Sequence, residues 1–167
     1  MAAVYDLAEI YEYADIHDNA RVYGQASVKG NSRIGGSAHI SGKADIGGKA
    51  SIRGAVRVYG YARICGEVDI RSNAIISEYA DISQNSHVLT VGQIGSRNDL
   101  TTFFRDRCGS IMVSCGCFLG TLERFRKQVE QTHGSSKHGR IYEMACDMAL
   151  IQINDGQDAG KDMSIGN

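Results

Sequence analysis

The sequence RVYGQASVKGNSRIGGSAHISGKADIGGKASIRGAVRVYGYARICG, residues 21–66, places an aliphatic side chain at every sixth position. A small residue, most often Ala, stands two positions before each aliphatic residue, and Gly stands two positions after it. The aliphatic spacing continues without insertion from Val4 to Val88. An α-helix cannot keep a six-residue period on one face, whereas short strands can, with two inward side chains in each strand.

This period predicts a coiled chain of short strands. Gly tolerates positive φ and so permits a tight turn after each strand. Three strands per coil require 18 residues, so residues 4–88 provide about five coils, stacked at the usual strand spacing of about 4.8 Å. We therefore predict an all-β solenoid with a small α+β cap after it. Its interior would be filled by stacked Ile/Val and Ala side chains.

The repeat, as in VYGQASVKG (22–30) and ISGKADIGG (40–48), resembles that of hexapeptide-repeat proteins. The resemblance implies a left-handed parallel β-helix. Many family members are trimeric acyltransferases, so it also implies a homotrimer, and an acyl-CoA-dependent enzyme as the alternative function. In those enzymes a loop interrupts the coils and a His acts as general base. Here no loop interrupts residues 4–88, and His17, His39 and His87 lie on the repeat itself. We therefore predict no catalytic residue.

The sequence divides into three parts, because the period is lost after Val88. We predict a β-helix over residues 1–90, an α+β cap over 91–154 and a disordered tail over 155–167. The cap is predicted to hold a hairpin, with strands 101–105 and 110–115 around a turn at 106–109, and two helices. The first helix would run from an N-cap at Thr121 to His133, with Leu122, Phe125 and Val129 inward, and the second over 140–154, with Ile141, Met144, Ala145, Met148 and Ile151 inward.

The cap contains IGSR (94–97), TTFFR (101–105), CGCFLGTL (115–122) and THG (132–134). With the repeats, these motifs resemble a tail module that follows hexapeptide repeats in phage and prophage proteins of unassigned function. The resemblance implies a phage accessory protein in the host cytoplasm. We expect a non-catalytic binding protein that acts on a host component, either by binding a host protein or by sequestering a small anionic molecule.

The composition of the chain excludes some classes of binding partner. The formal net charge is −1, so we expect neither a nucleic acid nor a membrane surface as partner. No apolar run approaches the length of a membrane-spanning helix, and the N-terminus lacks the pattern of a signal peptide. Five cysteines without a secretion signal fit a reducing cytoplasm. We expect no cofactor.

One outward face differs from the other two. Stacking by 18 residues places Arg21, His39 and Arg57 in one column without an acid, with Tyr23 and Tyr59 beside it. The column is either an anion or nucleotide site, with guanidinium groups for phosphate, or a subunit interface, where Arg and Tyr are enriched. We favour the interface, and in a trimer the two can coincide because ligand clefts often lie between subunits.

Cys115-Gly-Cys117 is the second candidate site. Its C-x-C spacing is not the usual C-x₂-C of zinc sites, so we expect no metal there. A reactive thiol at Cys117 is the alternative, because Cys117 lies near the predicted start of the first helix and a helix N-terminus lowers the pKa of a thiol. We favour a structural role, in which both side chains are buried small hydrophobes at a strand end.

Overall fold

The computed structural model describes residues 1–96 and 98–154. The chain begins with strands of two residues, each separated from the next by four residues. They are β1 (Ala3–Val4), β2 (Glu9–Ile10), β3 (Asp15–Ile16), β4 (Arg21–Val22), β5 (Ser27–Val28), β6 (Arg33–Ile34), β7 (His39–Ile40), β8 (Asp45–Ile46), β9 (Ser51–Ile52), β10 (Arg57–Val58), β11 (Arg63–Ile64), β12 (Asp69–Ile70), β13 (Ile75–Ile76) and β14 (Asp81–Ile82).

These strands form three parallel sheets, which are the sides of a β-solenoid. Sheet 1 has the order β1-β4-β7-β10-β13, sheet 2 has β2-β5-β8-β11-β14, and sheet 3 has β3-β6-β9-β12. Each residue pairs with the residue 18 positions away, as in Val22↔Ile40. Four complete coils and two strands of a fifth result. The predicted solenoid and its 18-residue register are confirmed.

The interior is a stack of identical layers. Ile34, Ile40, Ile46 and their equivalents from Val22 to Ile82 are buried, as are the Ala residues two positions before them. In the first coil, Ile10 and Ile16 are half-buried and Val4 is exposed. Burying one such aliphatic side chain contributes about 1.5–3 kcal/mol, so the repeat supplies most of the driving force for folding in this part of the chain.

The corners explain why Gly follows each strand. Gly48 has a φ of +68°, a conformation that L side chains rarely adopt. A Cβ on Gly48 would also lie 2.6 Å from the backbone nitrogen of Gly66 in the next coil. Ser72 and Glu78 adopt positive φ at equivalent corners of the last coil, where no further coil stacks on them. Asp6, Glu12 and Asp18 adopt positive φ at the same corners of the first coil, beneath a stacked coil. Close stacking therefore adds to the cost of a side chain at these corners without excluding one.

The cap begins where β15 (Val88–Ile94) follows a short 3₁₀ turn, Asn85–His87. It forms a four-stranded antiparallel sheet with β16 (Asp99–Arg105), β17 (Ile111–Cys115) and β18 (Phe118–Thr121). The predicted hairpin corresponds to β16 and β17, whereas β15 and β18 were not predicted.

Alternate residues of β16 tie the cap to the solenoid. Phe104 packs into the solenoid core, while its neighbour Phe103 packs among the helices on the other side of the sheet. Ile75 N–H donates to Thr102 Oγ1 at 3.2 Å, and Arg107 N–H donates to Tyr79 O at 3.0 Å. The sheet therefore closes the end of the solenoid.

Two helices cover the outer face of this sheet. Helix α1 (Leu122–His133) has Thr121 as its N-cap, which accepts from Arg124 N–H at 3.3 Å, and it ends at Gly134 with a φ of 48°. Its predicted start, end and buried face are confirmed. Helix α2 (Lys137–Asn154) begins three residues earlier than predicted, because Ser136 Oγ accepts from Gly139 N–H.

The predicted inward face of α2 was correct at Ala145 and wrong at Met144, Met148 and Ile151. Met144 and Ile151 are exposed by 66% and 64%, and Met148 is exposed as well. The buried residues are Gly139, Tyr142, Ala145, Cys146, Ala149 and Ile153. This face is buried because the Tyr142 ring packs edge-on against Phe125, with ring centroids 5.5 Å apart. The small residues on the same face let the helix approach the sheet closely.

Two predictions fall on residues that are not described. The disordered tail, 155–167, and Arg97 of the IGSR motif lie outside the described residues. Within residues 1–96 and 98–154, no helix combines the length and apolar character needed to cross a membrane.

Candidate binding surface

The basic column, defined as Arg21, His39 and Arg57, lies on sheet 1. Backbone pairing places Arg21 beside His39 and His39 beside Arg57 on β4, β7 and β10. At about 4.8 Å per coil, the two arginines are anchored about 10 Å apart. The flat, parallel sheet fixes this spacing, because each side chain leaves the same position of successive coils.

The arginines of the column have no ionic partner. Within the part of the chain that the structure describes, neither Arg21 nor Arg57 forms an ion pair, although both are exposed. Sheet 2 differs, since Lys29 pairs with Asp45 at 2.7 Å on neighbouring coils. The guanidinium groups of sheet 1 therefore remain available to an external anion.

Aromatic rings line the column. Tyr23 stacks on Tyr5, with centroids 5.1 Å apart and ring planes 2° apart, and meets His39 edge-on at 6.4 Å. Tyr59, beside Arg57, is 37% exposed. The structure thus places the five predicted residues on one face. Packing of Tyr23 against Tyr5 and His39 holds these three rings in place.

A second group of rings and cations at the neighbouring corner was missed. Tyr61 stacks on Tyr79 at 5.4 Å, Lys43 lies 5.4 Å from the Tyr61 ring centroid, and Arg107 lies 5.7 Å from that of Tyr79. Lys43, Tyr61 and Tyr79 are 18 residues apart, so the same stacking could have found them. Arg107 comes from the cap and had no such signal. These cations extend the positive surface beyond sheet 1.

A cavity of about 350 Å³ opens where the basic column meets the cap. We call it the junction cavity. Arg57, Asn73 and Ile75 contribute from the solenoid, and Asp99 and Leu100 from the cap. No sequence signal predicted this cavity, because it requires the cap to be placed against sheet 1.

The two cysteines of the C-x-C motif differ in environment. Cys115 ends β17 half-buried, and its sulfur accepts from Thr101 Oγ1 at 3.2 Å. Cys117 is exposed in the two-residue turn before β18, so the prediction that both are buried was wrong. Cys117 lies four residues before Thr121, the N-cap of α1. Among the described residues, no three His, Cys, Asp or Glu side chains are placed to hold a metal.

The C-x-C turn does line a second cavity, of about 380 Å³, within the cap. Phe118, Phe125 and His133 form other parts of its wall. The buried cysteine is instead Cys146 on α2, where burial raises the pKa of the thiol to about 11. The thiol of Cys146 is therefore protonated at neutral pH and plays a packing role.

The remaining histidines of the repeat lie away from the column. His87 is buried in the 3₁₀ turn, with its Nε2 3.2 Å from Arg105 Nη1. Burial and the charge of Arg105 lower the pKa of His87, so its imidazole is neutral at pH 7. The ring of His17 occupies the space beside Gly35 on sheet 3. Four residues separate every pair of successive strands from β1 to β14, so no loop leaves this described part of the chain beside His17. His87 lies in the 3₁₀ turn that leads from β14 to β15.

Comparison with known proteins adds no assignment: no protein-family model, no curated protein and no solved structure matches this chain.

Proposed function

We propose that this chain is a non-catalytic binding protein whose basic column binds an anionic ligand. One observation carries the proposal: Arg21 and Arg57 stand in register on sheet 1, exposed and without an ion pair in the described residues, with His39 between them. A guanidinium group presents a planar fork of N–H donors that matches a phosphate or carboxylate group.

The rigid sheet favours binding over catalysis. Backbone pairing already fixes the positions from which the arginine side chains leave the sheet, so binding requires no ordering of the backbone, which lowers the entropic cost of binding. Catalysis by a histidine would need a base within hydrogen-bond reach of a bound substrate. His87 is buried and held beside Arg105, and His17 lies on another sheet, which gives the acyltransferase alternative no support from these two residues.

The resemblance to phage hexapeptide-repeat proteins supports three further parts of the proposal. We propose a homotrimer, a role as a phage accessory protein in the host cytoplasm, and a host molecule as the natural partner. If sheet 1 is also the subunit seam, the anion site lies between subunits, and the tyrosines beside the column contribute to both roles.

Calorimetric titration with pyrophosphate, together with light scattering, tests the proposal. The test variant is Arg21→Ala with Arg57→Ala. The matched control is Arg33→Ala with Arg53→Ala, which removes the same two charges from exposed positions of sheet 3. We expect wild type and control to bind pyrophosphate, and the test variant to lose about a hundredfold in affinity, about tenfold for each charged hydrogen-bonding group.

The mass of the test variant separates the two roles of the face. An unchanged mass with lost binding identifies a ligand site, and a fall to the monomer mass identifies a subunit seam. Equal pyrophosphate affinity in all three proteins would overturn the proposal. A thermal shift with millimolar acetyl-CoA, which stabilises only a protein that binds it, would instead favour the acyltransferase.

A further inference from the structure

We infer that the junction cavity binds the base of a guanine nucleotide whose phosphates lie over the basic column. This inference rests on the proposed function and extends it by naming the class of ligand. It follows from what the column meets at its upper end, where the cap packs against sheet 1.

The column changes character at the coil nearest the cap. Arg57 pairs with Ile75 on β13, so the three basic residues of the column are followed by one apolar residue. At about 4.8 Å per coil, Arg21 to Ile75 spans about 14 Å. A ligand that lies along this line meets cations at one end and an apolar surface at the other, which is the pattern of a phosphate group joined to a flat ring.

The junction cavity has apolar and polar walls. Ile75 and Leu100 are half-buried and supply an apolar surface for the faces of a ring. Asn73 and Asp99 are exposed at its rim, and Arg57 belongs both to this cavity and to the column. A volume of about 350 Å³ lies in the range of small-molecule pockets and is ample for one base.

The polar groups select the base. An ionised carboxylate only accepts hydrogen bonds, so Asp99 requires N–H donors on the ligand. One Asp99 oxygen accepts from Leu100 N–H at 2.8 Å, which fixes the carboxyl group and leaves its other lone pairs for a ligand. Guanine presents two adjacent donors, the ring N1–H and the 2-amino group. Adenine presents a ring nitrogen acceptor beside its single amino group, and a carboxylate repels that acceptor.

The neighbouring groups complete the match. The 6-oxo group of guanine is an acceptor, and Asn73 and Arg57 both carry N–H donors at the rim of the same cavity. One edge of guanine thus offers donors to Asp99 and an acceptor to the amide or guanidinium group. The phosphates then extend toward His39 and Arg21.

Titration of the full chain with four ligands tests the inference. The ligands are GDP, IDP, which lacks the 2-amino group, ADP and pyrophosphate. The proteins are wild type, Asp99→Asn, and Asp15→Asn as a control that removes an exposed carboxylate from sheet 3. We expect wild type to bind GDP about tenfold more tightly than IDP or ADP, since a good bidentate pair discriminates by about that factor or more.

The variants separate the two proposals. We expect Asp99→Asn to lose the preference for GDP while its pyrophosphate affinity stays within twofold of wild type, and Asp15→Asn to behave as wild type. If wild type binds pyrophosphate but does not distinguish GDP from ADP, or if Asp99→Asn keeps the preference, the base site is overturned and the basic column stands. If wild type binds neither pyrophosphate nor any nucleotide, the proposed function fails as well.

Discussion

Two adjacent glycines at one corner of the solenoid respond differently to the same added methyl group. Gly48 has a φ of +68°, and a Cβ there would lie 2.6 Å and 2.9 Å from the backbone N and O of Gly66. Gly47 has no positive φ, and a Cβ there would meet only the flexible side chain of Lys29 at 3.4 Å. We therefore predict that Gly48→Ala destabilises the fold and that Gly47→Ala does not.

The expected loss of stability in Gly48→Ala has two causes. The left-handed conformation costs a non-glycine residue about 1–2 kcal/mol. The overlap with Gly66 adds to this cost, because backbone held by coil-to-coil hydrogen bonds cannot move aside freely, and overpacking of this kind costs about 1–3 kcal/mol. We expect Gly48→Ala to lower the free energy of unfolding by about 2–5 kcal/mol. Gly47→Ala should raise it by about 0.4–1 kcal/mol, because alanine restricts the unfolded chain.

Urea denaturation followed by circular dichroism measures both free energies on matched proteins. Ser72→Ala provides a third point, because Ser72 already has a φ of 70° in the last coil, where no coil stacks on it. This variant should stay within about 0.5 kcal/mol of wild type, since one side chain replaces another at the same φ. If Gly48→Ala unfolded at the same urea concentration as Gly47→Ala, the stacking argument for the corners would be refuted.

Four further variants test the cap and the 3₁₀ turn that precedes it. Phe104→Ala should lower the free energy of unfolding by about 3–5 kcal/mol in the same urea assay, because Phe104 fills the end of the solenoid core. Met148→Lys should change it by less than about 0.5 kcal/mol, whereas Ala149→Lys should lower it by at least about 3 kcal/mol, since Met148 is exposed and Ala149 is fully buried. Burial lowers the pKa of His87 in the folded state, so the unfolded state takes up a proton first as pH falls through the usual histidine range. The melting temperature of wild type should therefore decrease as pH is lowered below about 6.5. This decrease should be less steep in His87→Gln.

The solenoid could be read from the sequence because each coil repeats one local solution. A residue such as Ile40 meets Val22 and Val58 in the same register, so the six-residue period determines the strand, the buried face and the neighbour at once. The cap has no such repeat. Helix α2 carries two apolar stripes, and only the fit of Tyr142 against Phe125 selects the one that is buried.

The candidate site likewise has one part that the sequence could predict and one part that it could not. The register alone placed Arg21, His39 and Arg57 in one column. The junction cavity is lined by Asn73 of the solenoid and Asp99 of the cap, which are 26 residues apart and share no period, so the sequence could not bring them together. Similarly, Arg107 reaches the Tyr61 carbonyl at 2.7 Å only because the β16–β17 hairpin folds back over the last coil.

The binding of an anion by Arg21 and Arg57 of sheet 1 is the central claim about this protein. The dissociation constant for pyrophosphate, measured by calorimetry at low ionic strength for wild type and for the Arg21→Ala, Arg57→Ala variant, tests this claim directly. We expect wild type to bind pyrophosphate and the variant to bind it about a hundredfold more weakly. Absence of binding to wild type, or equal constants for the two proteins, would contradict it.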